Sequence, residues 1–558
     1  MIRHSIAAIL AVASLGASTG VNAQTTGRFH GTFPGHRSSP VQPQAKSWRE
    51  ADYPAPTSDA PPPPPPPADT GPKADATIAV TGGLVGGQRL DDDTYVFKAV
   101  PFARPPVGPL RWTSPQPPQA WTGVRTSTDS APACLQLSAG WNDALAKTSS
   151  EDCLYLELRS PVLDPQAKLP VMVFIHGGAN RAGGAPGTVM SALVDRNVVL
   201  VSIQYRLGVF GFLSHPALTA ESPDHASGNY ALMDQIAALQ WVHDNIAKFG
   251  GDPGNVTIFG HSAGAQDVGL LLTSPLARGL FAKAIEESGP PQFGLPARSL
   301  AQNEALGVDL ARRYSDAAPD SAAALDALRR APAAALQDAA DHLKPPIDDA
   351  GFIWLQAVVD GHVLPRAPYD VFRDRQQAPA PLIIGVSAQE LGLHGGKSAV
   401  YSTVQREFGP KFMRALGFYG LDVKTEVKDD KVLGDVSMQL STDLMMRCPS
   451  DWTAWHVTAA GQPAWLYQLD IDSTGGTVHH GSELAFVFNE RPRDKNAEQW
   501  PPLLDYWAQF AWTGSPWGRG LTEWPAYGQN GAYMEFTHSG PAVKQAMRLG
   551  VCQLRDTP

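Results

Sequence analysis

The chain has 558 residues, with 54 acidic and 44 basic side chains and a formal net charge of −10. Hydrophobic residues make up 43% and charged residues 18%, a composition typical of a soluble globular protein with a sizeable core. The acidic balance and the lack of any Lys/Arg block argue against nucleic acid as a partner, because no basic surface neutralises phosphates.

The N-terminus has the parts of a secretory signal peptide. Arg3 and His4 precede the apolar run 6–15, and small residues follow up to Ala23. This pattern predicts cleavage after Ala23 and export to the periplasm or the medium. A membrane anchor is the alternative, but the apolar run is too short to span a bilayer comfortably. No later stretch is long and apolar enough, so we expect no stable membrane insertion after cleavage.

Residues 24–75 are rich in Pro, Ser, Thr and Gly and include the proline run 61–67. Such a segment cannot bury a core and favours extended polyproline II, which predicts a disordered spacer. A ligand for a proline-binding module is the alternative. We expect one folded domain over residues 76–558, since neither a repeat nor a linker interrupts it.

Four cysteines behind a predicted signal peptide indicate two disulfides. They are Cys134, Cys153, Cys448 and Cys552. Four cysteines allow three connectivities, and the spacing alone does not choose between them. A metal site is the alternative, and the absence of CxxC and HxxxH spacings argues against it.

Strand-like and helix-like runs alternate along the predicted domain. Apolar and β-branched runs predict strands at residues 78–80, 82–86, 95–97, 154–158, 170–175, 198–205, 256–259, 381–386 and 465–469. Periodicity and composition predict helices at residues 231–249, 265–272, 300–343, 400–460 and 503–512. The alternation predicts an α/β fold with a mostly parallel sheet, helices on both faces and helical insertions.

A G-x-S-x-G pentapeptide, GHSAG at residues 260–264, joins the predicted strand 256–259 to the predicted helix 265–272. In this setting the serine sits in a strained turn at the sheet edge, which requires small neighbours. The helix N-terminus behind it stabilises negative charge. An ordinary glycine-rich turn is the alternative, but the preceding strand favours Ser262 as a nucleophile.

A second glycine-rich stretch, HGGAN at residues 176–180, follows the predicted strand 170–175. Small residues there let backbone N–H groups approach a ligand. We expect an oxyanion hole made by the amides of Gly178, Ala179 and Ala263. A plain strand-to-loop turn is the alternative.

A serine nucleophile needs a histidine base and an acid that orients it, expected in the chain order serine, acid, histidine. Spacing does not select the base. The histidines after Ser262 are His342, His362, His394, His456, His479, His480 and His538.

Two long motifs add information. They are FGGDPGNVTIFGHSAG at residues 249–264 and EDCLYL at residues 151–156. Shorter ones are YRLG at 205–208, FGF at 210–212, residues 228–229 and 234–235, Trp507, residues 510–511 and WPAY at 524–527. Together they resemble the type-B carboxylesterase and cholinesterase family over about residues 78–552. The resemblance implies an α/β-hydrolase fold and a serine esterase that hydrolyses carboxylic esters through an acyl-enzyme on Ser262. It implies no cofactor and no metal.

The resemblance also implies the missing members of the site. The acid is Glu390, at the end of GVSAQE, although Leu391 replaces the glycine that usually follows. Asp360 is the other nearby carboxylate, and the resemblance makes it a turn residue. The base is His480 in HGSEL. His479 is the alternative, but His480 directly precedes the glycine of the pattern.

Four structural pairings follow from the same resemblance. They are the ion pairs Arg111–Glu151 and Arg206–Asp234 and the disulfides Cys134–Cys153 and Cys448–Cys552.

Departures from the family pattern concern the substrate pocket. His261 stands where the family commonly has the glutamate that helps cholinesterases hold a cationic substrate. We therefore disfavour choline esters and expect His261 to line the pocket and to favour anionic substrates. Asn180 replaces a usual aromatic, which predicts a more polar acyl pocket. Trp141, in the loop between Cys134 and Cys153, is a further expected pocket residue.

Two alternative functions stay open. An amidase or carbamate hydrolase would use the same triad. A binding protein that has lost the triad is disfavoured, because serine, glutamate and histidine are all present. The sequence indicates no oligomeric state.

Overall fold

The structure is a computed structural model that describes residues 74–292, 298–343, 356–393, 396–422, 429–490 and 500–555. The predicted signal peptide, the proline-rich segment up to residue 73 and His394 lie outside these residues.

The strands of the described residues follow the predicted runs closely and add several more. They are β1 (Ala76–Val80), β2 (Gly83–Arg89), β3 (Tyr95–Pro101), β4 (Val124–Thr126), β5 (Tyr155–Ser160), β6 (Leu169–Ile175), β7 (Val199–Ile203), β8 (Gly251–His261), β9 (Lys283–Glu287), β10 (Arg298–Ser299), β11 (Val358–Val359), β12 (Leu382–Ser387), β13 (Ala464–Leu469), β14 (Ala532–Thr537) and β15 (Gly540–Gln545).

The α-helices include those predicted. They are α1 (Asp143–Lys147), α2 (Gly208–Phe212), α3 (Pro216–Glu221), α4 (Tyr230–Asn245), α5 (Ala263–Thr273), α6 (Leu300–Ala311), α7 (Ala322–Arg330), α8 (Ala333–Asp341), α9 (Pro368–Arg373), α10 (Gly396–Phe408), α11 (Phe412–Phe418), α12 (Val436–Thr442), α13 (Cys448–Ala459), α14 (Glu483–Phe488), α15 (Leu503–Thr513) and α16 (Leu549–Cys552). A π-helical segment, Asp443–Arg447, joins α12 to α13.

One large sheet forms the centre of the molecule. Its strand order is β1-β2-β3-β5-β7-β6-β8-β9-β12-β13-β14-β15, with β4 paired to β2. From β7 to β14 every neighbouring pair is parallel, and the outer pairs along this order are antiparallel. This confirms the predicted α/β fold with a mostly parallel sheet.

Helices cover both faces of this sheet, as strand β6 shows. All its residues are buried, and they alternate between two hydrophobic clusters: Val171 and Val173 belong to one, Met172 and Phe174 to the other. Helix α4 contributes to the first cluster and helix α15 to the second. A parallel strand covered on both sides reads as a continuous apolar run, which is why the sequence predicted it.

The sheet brings the predicted site residues to one edge. Strand β6 lies between β7 and β8, so the chain order reverses around it. The carboxyl ends of parallel strands around such a point form a crevice. The HGGAN stretch follows β6, and Ser262 follows β8. Glu390 and His480 come after β12 and β13 at the same edge.

The four implied pairings are confirmed. Disulfides join Cys134 to Cys153 and Cys448 to Cys552. Arg111 Nη2 lies 2.6 Å from Glu151 Oε2, and Arg206 Nε lies 2.8 Å from Asp234 Oδ2. Among the described residues, no helix combines the length and apolar character needed to cross a bilayer.

Candidate active site

Ser262 lies in a strained turn between β8 and α5. Its backbone has φ 58° and ψ −126°, a conformation that residues other than glycine rarely adopt and that costs about 1–3 kcal/mol. Its N–H donates to the Glu287 carbonyl at 2.8 Å, which ties the turn to the neighbouring strand β9. The predicted sharp turn is therefore confirmed.

The glycines on either side of Ser262 are required by close backbone contacts. A Cβ on Gly260 would lie 2.6 Å from the Gly264 carbonyl carbon. A Cβ on Gly264 would lie 2.1 Å from the Ile175 oxygen, at the end of β6. Larger residues at these positions would push the serine turn away from the sheet.

Ser262, His480 and Glu390 meet in a hydrogen-bonded line. His480 Nε2 lies 2.8 Å from Ser262 Oγ, and His480 Nδ1 lies 2.5 Å from Glu390 Oε2. The Glu390 carboxylate is held in turn, since the Ser387 amide donates to its Oε1 at 2.7 Å. The Glu390 amide donates to Thr442 Oγ1 at 3.2 Å. The side chains are thus placed for proton transfer from hydroxyl to imidazole.

His479 and Asp360, the alternative candidates for the base and the acid, have other hydrogen-bond partners. His479 Nδ1 lies 3.0 Å from Ser482 Oγ. Asp360 Oδ1 accepts from the amides of His362 at 3.1 Å and Leu364 at 2.9 Å, as expected of a turn residue.

The environment favours a basic imidazole at His480. Burial lowers the pKa of His480, but the Glu390 and Glu483 carboxylates raise it more, so the net pKa lies above the usual value of histidine. A higher pKa strengthens the imidazole as acceptor of the Ser262 proton.

Glu483 is a site residue that the sequence reasoning left without a role. It is fully buried, and Ser387 Oγ donates to its Oε2 at 3.0 Å while Ser288 Oγ donates to its Oε1. Burial, reinforced by the Glu390 carboxylate, raises the pKa of Glu483 to about 7. Its position in the HGSEL motif, three residues after His480, is the sequence feature that could have placed it in the site.

His261 packs against the ring of His480 and its Nε2 lies 3.8 Å from Glu483 Oε1. Burial, followed by the charges of His480 and His479, lowers the pKa of His261 well below its usual value. Burial therefore favours the neutral imidazole, which offers no positive charge to an anionic substrate. The anionic preference expected from the sequence stays a prediction, and this environment does not favour it.

The HGGAN loop lies directly against Ser262. A Cβ on Gly177 would lie 3.0 Å from Ser262 Cβ. Three consecutive residues have left-handed backbones, with φ 112° at Gly178, 57° at Ala179 and 55° at Asn180. Within the described part of the chain, the amides of Gly178 and Ala179 donate no hydrogen bond.

Ala263 is the first residue of α5, where the helix provides no acceptor for its amide. Free amides on both sides of the serine can stabilise an oxyanion.

The two remaining predicted pocket residues have different surroundings. Trp141 is half-buried, and a Cβ on Gly178 would lie 3.2 Å from its Cη2, so the ring touches the loop. Asn180 is only 1% exposed, and both ends of its side chain are hydrogen-bonded, to Asp267 Oδ1 and to the Tyr205 hydroxyl. Both polar atoms of the Asn180 side chain are therefore engaged by other residues of the protein.

A hydroxyl, an imidazole and a carboxylate in line, at the carboxyl edge of a mostly parallel sheet, define the serine hydrolases of α/β-hydrolase fold. Sequence comparison gives the family. The sequence profile of the carboxylesterase family matches residues 74–555. Rabbit (Oryctolagus cuniculus) liver carboxylesterase 1 is 33% identical over 521 residues, covering 84% of this chain and 90% of the relative. Human cocaine esterase is 33% identical over 515 residues, covering 85% and 88%.

Solved structures agree. The Geobacillus stearothermophilus carboxylesterase EST55 superposes with a TM-score of 0.70 at 31% identity, covering 86% of this chain and 99% of that one. A PNB esterase superposes with a TM-score of 0.70 at 28% identity, again covering 86% and 99%. The chain belongs to the carboxylesterase family, which makes it a serine hydrolase of the carboxylic ester hydrolase class.

Proposed function

We propose that this protein is an exported esterase that hydrolyses carboxylic esters through an acyl-enzyme on Ser262. The observation that carries the proposal is the contact of 2.8 Å between Ser262 Oγ and His480 Nε2, with Glu390 on the other imidazole nitrogen. His480 takes the serine proton as Oγ attacks the ester carbonyl. Glu390 holds the ring and stabilises the imidazolium that forms.

The amides of Gly178, Ala179 and Ala263 stabilise the charge on the carbonyl oxygen of the tetrahedral intermediate. His480 then returns the proton to the leaving alcohol, and the acyl-enzyme forms. Water attacks the acyl carbon with His480 again as the base, and the intermediate collapses to release the carboxylic acid and Ser262. The chain needs no further group for this sequence of steps.

Export rests on the N-terminal segment of the sequence and is supported by two disulfides, which are typical of proteins in oxidising compartments. The proposed organisation is a signal peptide at residues 1–23, a proline-rich spacer at 24–75 and one hydrolase domain at 76–558. An intact mass of the secreted or periplasmic protein that begins at Gln24 would support it. A mature protein that still carries residues 1–23 would contradict it.

Labelling and turnover together test the activity. A fluorophosphonate probe should modify Ser262, seen by peptide mass spectrometry, and Ser262→Ala should abolish both labelling and hydrolysis of p-nitrophenyl esters. The matched control is Ser274→Ala, which removes a buried hydroxyl just after the same helix α5. Normal ester hydrolysis by Ser262→Ala would overturn the proposal. Faster cleavage of the p-nitroanilide of the same acyl group would reassign the enzyme as an amidase.

A further inference from the structure

A buried carboxyl group lies beneath the HGGAN loop and takes no part in the steps above. Asp267 is fully buried on α5, one helical turn after Ala263 and on the same face. Its Oδ1 accepts from Asn180 Nδ2 at 3.1 Å, and its Oδ2 accepts from Gln235 Nε2 at 2.6 Å. With only amide donors around it, burial raises the pKa of Asp267 to about 7.

Asn180 connects this carboxyl group to the loop that carries the proposed oxyanion amides. Its Oδ1 lies 3.2 Å from the Tyr205 hydroxyl, whose single proton is shared between Asn180 Oδ1 and the nearer His176 carbonyl at 2.5 Å. The Asn180 carbonyl accepts from the Gly208 amide at 2.7 Å. The residue is therefore fixed through its backbone and through both ends of its side chain.

The loop needs such fixing because its backbone is strained. Ala179 and Asn180 have positive φ although neither is glycine, and a strained conformation persists only where the surrounding structure determines it. Apolar packing of Ala179 against Val386 and Met446 holds one side of the loop. On the other side, the bond from Asn180 to Asp267 ties the loop to the helix that begins at Ala263.

We propose that Asn180 and Asp267 form a clamp that sets the position of the Gly178 and Ala179 amides relative to the Ala263 amide. The inference rests on the proposed function, because it concerns the oxyanion hole of that reaction. Asn180 and Asp267 are positioning residues, since they touch the loop and the helix and not the substrate. The clamp links the donors that follow β6 to the donor at the start of α5, beyond the point where the pairing of β6 with β8 ends at Ile175 and Gly260.

The clamp predicts a kinetic signature. Oxyanion contacts are made in the transition state, so loosening them lowers kcat more than it raises KM. Loss of a whole donor costs on the order of a hundredfold to a thousandfold in kcat. Asn180→Ala should displace the Gly178 and Ala179 amides without removing them. We therefore expect kcat to fall by about tenfold to a hundredfold and KM to change by less than about threefold.

Two changes at Asp267 separate hydrogen bonding from packing. Asp267→Leu removes the acceptor, and we expect the same kinetic loss as in Asn180→Ala. Asp267→Asn keeps an acceptor for Asn180 Nδ2, and its new NH₂ can donate to Gln235 Oε1 after that amide rotates. Gln235 Oε1 has no hydrogen-bond partner among the described residues. Asp267→Asn should therefore recover most of the kcat lost in Asp267→Leu.

The matched control is Asn245→Ala. Asn245 is also a buried asparagine with a bonded side chain, but it ends α4 just before β8 begins, at the end of that strand opposite Ser262. Eleven residues of strand separate the two ends. This variant should lose stability without a change in kcat.

The decisive measurement pairs kcat/KM for a p-nitrophenyl ester with the inhibition constant of a trifluoromethyl ketone, which adds to Ser262 and places its oxyanion in the hole. In Asn180→Ala, kcat/KM should fall and the inhibition constant should rise by the same factor, while the dissociation constant of a non-hydrolysable ether analogue stays unchanged.

Two outcomes would overturn the clamp. One is folded Asn180→Ala with the kcat and the inhibition constant of the wild type, and the other is an equal loss of kcat in Asn245→Ala. If Asp267→Leu fails to fold, Asn180→Ala and Asp267→Asn decide. Wild-type protein that neither hydrolyses the ester nor binds the ketone would instead overturn the proposed function, and the clamp with it.

Discussion

His261 and His480 pack with their ring centroids 4.6 Å apart, and burial lowers the pKa of His261, which favours its neutral form. Its side chain is only 10% exposed, and its Nε2 lies 3.8 Å from Glu483 Oε1. A carboxylate at position 261 would therefore stand beside the Glu483 carboxyl group and the His480 ring.

His261→Glu tests this relationship. A second carboxylate near His480 stabilises the imidazolium, so the pKa of His480 rises further. Because the base must be neutral to act, the acid limb of the kcat/KM profile should move to higher pH. The added negative charge should also raise kcat/KM for a choline ester relative to its uncharged 3,3-dimethylbutyl isostere.

The control is His261→Gln, which is neutral like the native imidazole and should change neither the pH profile nor the preference for the cationic ester. An unchanged ratio of cationic to neutral ester in His261→Glu would show that position 261 does not face the substrate.

Glu390→Gln tests the orienting acid. The Glu390 carboxylate raises the pKa of His480, so its loss lowers that pKa. The remaining activity should therefore persist to lower pH than in the wild type. The rate should fall by roughly a hundredfold to ten-thousandfold, since a neutral amide neither fixes the imidazole tautomer nor stabilises imidazolium.

Glu390→Asp is the control for charge, because it keeps a carboxylate and differs only in reach. We expect it to keep the acid limb of the profile near that of the wild type while lowering kcat. An acid limb at unchanged pH in Glu390→Gln would mean that another group sets the pKa of His480.

The elements that local pattern specifies were predictable. Strand β6 is a continuous apolar run, and the GHSAG turn requires glycines that the backbone contacts explain. Strand β9 was not predicted, because Lys283 to Glu287 reads KAIEE and carries three ionisable residues. All five residues are nevertheless buried, and burial raises the pKa of Glu286 and Glu287 well above the usual range. Placement between β8 and β12 therefore overrides the local preference.

The positions of the site residues also depend on tertiary structure that local sequence does not specify. His480 lies 218 residues from Ser262 and 90 residues from Glu390 along the chain. What brings them together is the edge where β8, β12 and β13 end, and no spacing in the sequence encodes that edge. Family resemblance therefore supplied the expectation for Glu390 and His480. Asp267, which has no motif of its own, became visible only through its contact with Asn180.

The two disulfides should differ in their effect on stability. Cys448–Cys552 spans 104 residues and Cys134–Cys153 spans 19. In the chain-entropy account a longer closed loop restricts the unfolded state more. The double variant Cys448→Ser/Cys552→Ser should therefore lose about 1.5 kcal/mol more unfolding free energy than Cys134→Ser/Cys153→Ser, measured by urea denaturation.

Activity should follow the opposite order. The loop closed by Cys134 and Cys153 carries Trp141, whose ring touches Gly178 of the proposed oxyanion loop. We expect the Cys134→Ser/Cys153→Ser variant to lose more kcat/KM than the other double variant, assayed well below both melting temperatures. Equal kcat/KM in the two double variants would show that the position of Trp141 does not affect the reaction.

The buried ion pair between Arg206 and Asp234 should contribute more to stability than an exposed ion pair does. Both side chains are almost fully buried, and Asp234 accepts from the Arg206 backbone amide at 3.0 Å as well as from its Nε and Nη2, both at 2.8 Å. Asp234→Ala leaves a buried guanidinium without its partner, which costs about 3–5 kcal/mol. The exposed pair Arg312–Asp309 supplies the control, since water already screens its charges. Asp309→Ala should leave the urea midpoint unchanged, whereas Asp234→Ala should lower it strongly; similar midpoints for the two variants would contradict this account.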